Sequence, residues 1–137
     1  MKRVGDAAAG FSVVFDPEAG AVKVRGWGFW SAVTSSSFAT SVSDVCKENP
    51  RGSALFIDMN DLKPLREEGQ QAFGTLVRLL RGLGVSKTTV TTTSHLTKLQ
   101  LLRLVADQGM KDSVQFTTAS SEKGVVTEQT QGERTNR

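Results

Sequence analysis

Tyrosine is absent from this 137-residue sequence, and cysteine and histidine occur once each. The lone Cys46 excludes an intrachain disulfide and a cysteine-based zinc site, and it fits a reducing compartment. No apolar run approaches the roughly 20 residues that a membrane-spanning helix needs. Residues 1–10 carry basic side chains without the apolar stretch of a secretory signal. The expected location is therefore the cytoplasm, with no membrane span. Also missing are a P-loop, a Gly-x-Gly-x-x-Gly fingerprint and a Gly-x-Ser-x-Gly elbow, so three common routes to catalysis have no local support. Basic residues outnumber acidic ones by 17 to 14, a net charge of +3. They are spread singly, with no cluster and no tyrosine between them, so the surface reads as solvated and nucleic acid is not an expected partner.

What the chain does have is enough length and apolar content, 38% of residues, for one domain with its own core. Residues 11–15 and 21–25 read as a β-hairpin around the turn-forming Asp16-Pro17-Glu18-Ala19-Gly20. Residues 31–49 are rich in Ser and Thr, which compete for local backbone hydrogen bonds. Phe38, Val42 and Val45 nevertheless recur at helical spacing before Pro50 and Gly52. Residues 54–59 are mostly apolar on both faces, as a central strand requires. A helix follows from Leu65 or Arg66 to about Arg81, with Ala72, Phe73, Leu76, Val77 and Leu80 on its buried face and Gly82 and Gly84 at its end. Residues 87–92 form a fourth strand, and residues 94–106 a strongly apolar helix opened by Ser94. Its expected core stripe is Leu96, Leu99, Leu102 and Val105 or Ala106, widened by Leu101 and Leu104, which suggests cover on more than one side. Residues 114–117 make a fifth strand.

The order β-β-α-β-α-β-α-β predicts an α/β fold: a mixed sheet of four or five strands, with parallel pairs joined through helical crossovers. The expected organisation is a flexible segment 1–10, a domain 11–118 and a disordered polar tail 119–137.

The most informative segment is the junction of the third strand with the second helix, where Asp61-Leu62, a short spacer and Arg66-Glu67-Glu68-Gly69 precede an apolar helix. This block resembles the core of the STAS domain, the module of sulfate transporters and anti-sigma-factor antagonists. A second match is Val24-Arg25-Gly26-Trp27-Gly28-Phe29-Trp30-Ser31, which looks like that family's strand, turn and helix start, with Ser31 in place of an aspartate cap. The resemblance runs from about Phe11 to about Thr117. It implies a STAS fold and a regulatory, non-enzymatic role with a kinase-like or other signalling protein as partner. In the antagonists a Ser or Thr just before the glycine is phosphorylated. Here Glu67 and Glu68 stand at the two hydroxyl positions, so negative charge is fixed and the switch hydroxyls are missing.

The candidate partner-binding residues are Asp61, Arg66, Glu67, Glu68 and Gly69, with Ser94, His95 and Lys98 after the next strand. If the two strands are parallel neighbours, both groups open on one edge of the sheet, where α/β folds place ligands. Taken singly, the same residues also serve as turn, dipole and first-turn residues. Trp27, Phe29 and Trp30 cannot all point inward easily, and one of them, Trp27 or Phe29, is the candidate groove aromatic. Ser94, His95 and Asp58 do not make a triad, because adjacent residues rarely present a nucleophile and its base to each other. Asp58, Asp61 and His95 lack metal-ligand spacing, so no metal and no cofactor is expected. Two further readings are a small anionic or lipid-like ligand at the sheet edge, and self-association through an edge strand.

Overall fold

A computed structural model describes residues 1–117. The elements are β1 (Lys2–Gly5), β2 (Gly10–Asp16), β3 (Ala21–Gly28), α1 (Ala32–Lys47), β4 (Ala54–Leu62), α2 (Glu67–Leu83), β5 (Thr88–Thr91), α3 (His95–Asp107) and β6 (Val114–Thr117). They build an α/β fold whose single six-stranded mixed sheet has its strands in chain order. β1, β2 and β3 pair antiparallel, and β3 to β6 pair parallel. Each parallel step goes to the adjacent strand through one helix, and the helices lie side by side, α1 on α2 and α2 on α3. The N-termini of all three helices therefore gather at the edge where the parallel strands end.

Strand register explains which face the helices cover. Val13, Val24, Ile57 and Val90 are cross-strand neighbours and buried, whereas Lys23, Arg25 and Gln115 stand exposed on the alternate positions. An aromatic column then fixes the helices over the sheet. Phe11 of β2 meets Trp30 edge-on at 5.7 Å and Phe38 of α1 at 5.3 Å, and Phe38 stacks on Phe73 of α2 at 6.4 Å. The Trp30 indole N–H donates to the Gly10 carbonyl at 2.8 Å, so this buried ring leaves no unpaired donor.

The sequence reading is corrected at two places. Residues 1–10 contain a strand rather than a flexible segment: β1 pairs along β2, Val4 packs on the core, and the Trp27 indole N–H donates to the Asp6 carbonyl at 2.7 Å. The second correction concerns α3. Its buried residues are Thr97, Leu101 and Val105, while Leu96, Leu99 and Leu102 of the expected stripe are exposed. The expected tail, 119–137, lies outside the described residues.

Candidate functional site

Ile57 and Met59 of β4 are buried, and the strand continues past them to Leu62. Near its end the pairing with β3 shifts by one residue between Arg25 and Trp27, and the Asp58 carboxylate accepts the Asn60 N–H at 2.9 Å across this bulge. The shift brings Asp61 alongside Trp27, within reach of Arg25, whose guanidinium donates to the Asp61 carboxylate at 2.7 Å. Both side chains are exposed, so the pair orients Asp61 more than it stabilises the fold, at about 0–1 kcal/mol.

The connector 63–66 leads into α2, whose N-cap is Arg66 with extended backbone and no side-chain cap bond. α1 and α3, by contrast, start on serines: the Ser31 hydroxyl accepts from the Thr34 N–H, and the Ser94 hydroxyl from the Thr97 N–H. Glu67 and Glu68 fill the first turn of α2 and are exposed, where each carboxylate gains about 0.3–1 kcal/mol from the helix dipole. Gly69 is buried against Leu65, and a Cβ there would meet Leu65 Cδ2 at 2.7 Å. The glycine thus lets the connector fold tightly back on the first turn. Glu68 also lines a groove of about 310 Å3 between α1 and α2. Ser35 forms part of the same groove, and its buried hydroxyl has no hydrogen-bond partner among the described residues.

β4 and β5 are parallel neighbours, so Ser94, His95 and Lys98 open on the same edge as residues 61–69. His95 is exposed, Lys98 half-buried, and Ser94 is occupied as the cap of α3. The aromatics divide clearly. Trp27 and Trp30 are 6% and 5% exposed, Trp27 with the guanidinium groups of Arg3 and Arg25 at 4.8 and 5.0 Å from its ring. Phe29 is 56% exposed, and the Arg66 guanidinium lies 5.8 Å from its ring. Phe29 and Arg66 thus bring the turn before α1 up to the α2 entrance.

Three contributors were not singled out from the sequence. Arg25 neutralises Asp61, Gln100 of α3 bonds the backbone of Leu65, and Gln70 accepts from Arg103 at 2.8 Å. Gln100 had a local signal, as an amide inserted between Leu99 and Leu101. Arg25 had only the outward phase of its strand. Among the described residues no cluster of three or more His, Cys, Asp or Glu side chains could hold a metal ion, and no helix is long and apolar enough to cross a membrane. Compared with known proteins, the chain matches no family model and no curated sequence.

Proposed function

We propose that this protein is a non-enzymatic, STAS-like regulatory module that docks a signalling protein through the surface formed by residues 61–69. The observation that carries the reading is the exposed pair Glu67 and Glu68 in the first turn of α2, one short connector after strand β4 and just before the tightly packed Gly69. That is the local arrangement the resemblance calls for, with carboxylates where the antagonists have hydroxyls. A phosphate added to a hydroxyl repels or desolvates a partner only while it is present. Two carboxylates exert a comparable field at all times, so the module is held in one state and suits a partner with a basic surface. Phe29 supplies an apolar contact beside the charges, and Arg25 tempers the charge of Asp61.

Incubation with a Ser/Thr kinase of the antagonist-regulating type, followed by mass spectrometry, tests the altered switch. Residues 63–71 contain no hydroxyl and stay unmodified, whereas phosphate on Ser94 or Thr97 would relocate the switch to α3. Glu67→Ser with Glu68→Ser tests the charge: the account expects weakened partner binding, and unchanged binding would remove the argument from fixed charge.

A further inference from the structure

α3 buries one narrow face, made by Thr97, Leu101 and Val105 at successive turns. Its outward side is only partly polar, unlike that of an edge helix in a solvated domain. Leu96, Leu99 and Leu102 follow at i, i+3 and i+6, and they are 57%, 50% and 37% exposed. Single exposed leucines are ordinary, but neighbours on one helix face form a contiguous apolar seam. The charges beside the seam are of one sign. Lys98 and Arg103 flank it, His95 stands at its head, and the first acid on the helix is Asp107, its last residue. Neither cation joins an ion pair among the described residues, and the Arg103 guanidinium is bonded to the neutral amide oxygen of Gln70.

We propose that this seam docks an amphipathic helix of a partner protein, with leucine-like side chains on its inner face and Asp or Glu on its flanks. Leu96 to Leu102 rise about 9 Å along α3, which matches about two turns of a partner helix laid alongside. Charge selects this occupant over a second copy. Antiparallel self-pairing centred on Leu99 sets Arg103 opposite His95, and parallel pairing sets Lys98 and Arg103 against their own counterparts. Parallel pairing brings like charges together and antiparallel pairing offers Lys98 and Arg103 no acid, whereas acidic flanks meet both with opposite sign. The inference stands apart from the acidic pair on α2, which favours a basic partner surface.

The test uses the full chain, isotopically labelled, and two synthetic helical peptides that share one leucine face and differ only in Glu or Lys flanks. The expected result is that the Glu-flanked peptide shifts the resonances of Leu96, Leu99, Leu102 and Arg103, and binds about tenfold more tightly than the Lys-flanked one at low salt. Leu99→Gln, a surface change, weakens that binding, and Lys98→Glu with Arg103→Glu reverses the preference. Glu67→Gln with Glu68→Gln leaves it unchanged, which separates this proposal from the one above. It is overturned by shifts confined to other surfaces, equal affinity for both peptides, sedimentation showing a dimer that Leu99→Gln dissolves, or contacts from residues 118–137 to the Leu99 methyl groups. Adsorption to anionic vesicles without peptide binding would also overturn it, by making the seam a membrane contact.

Discussion

The side-chain amide of Gln100 engages the backbone of Leu65 at both of its polar groups: its oxygen accepts the Leu65 N–H at 2.9 Å, and its nitrogen donates to the Leu65 carbonyl at 3.0 Å. This contact, made across 35 residues of chain, fastens α3 to the connector that opens α2. The Leu65 carbonyl has a second donor in the Gln70 amide, whereas the N–H depends on Gln100. Gln100→Ala is therefore expected to leave a buried donor unpaired and cost about 1–3 kcal/mol. Gln100→Glu keeps the acceptor and costs less. Urea unfolding measures both, and amide exchange at Leu65 should accelerate in the alanine variant alone.

On α3, Leu101 is fully buried and Leu99 is half exposed. Leu101→Ala is expected to cost about 2–5 kcal/mol through lost burial and the cavity left behind. Leu99→Ala should change stability by no more than about 0.5 kcal/mol. Equal losses at the two positions in chemical denaturation would show that the helix is rotated from the orientation described.

Gly28 has a φ of +72°, and a Cβ on it would run into the backbone of Ala8 and Ala9. Gly28→Ala combines a left-handed backbone, which costs about 1–3 kcal/mol in a residue with a side chain, with displacement of the loop after β1. Lower thermal stability should accompany a changed Trp27 emission, because that loop supplies the Asp6 carbonyl that accepts from the indole N–H.

Burial pushes the Cys46 thiol up from its ordinary 9.0 to about 11. Between those values an unfolded chain releases a proton that the folded chain retains, so stability falls as pH rises from 9 towards 11. Cys46→Ala should flatten that part of the stability profile relative to the parent protein. At pH 8 a thiol reagent should react slowly with the native protein and rapidly in urea, since the thiolate is the nucleophile.

The sequence shows most of this architecture because each of the last eight elements has its own local signal. Pro17 and Gly20 mark the hairpin, Ser31 and Ser94 cap α1 and α3, and Gly84 closes α2 with a left-handed φ of +70°. The strand β1 has no comparable mark. Four residues, Lys-Arg-Val-Gly, become a strand only because β2 offers a free edge and Trp27 anchors the following loop, both relationships distant in sequence. The orientation of α3 is hidden in the sequence for a different reason: six of its 13 residues are Leu or Val, so several helical stripes fit the pattern and only tertiary packing chooses among them. The α2 entrance was legible as a run of charges before a glycine. What could not be read there was the company those charges keep, since Arg25 and Gln100 arrive from β3 and α3 through the fold.

The central claim is that the fixed charge of Glu67 and Glu68 is what a partner recognises. It is tested most directly by purifying a partner captured from native lysate and measuring its Kd for the parent protein and for Glu67→Gln with Glu68→Gln, at low and at high salt. The account predicts about tenfold or greater weakening in the neutral variant at low salt, shrinking as salt screens the parent interaction. Equal affinities for the two proteins across the salt range would contradict it.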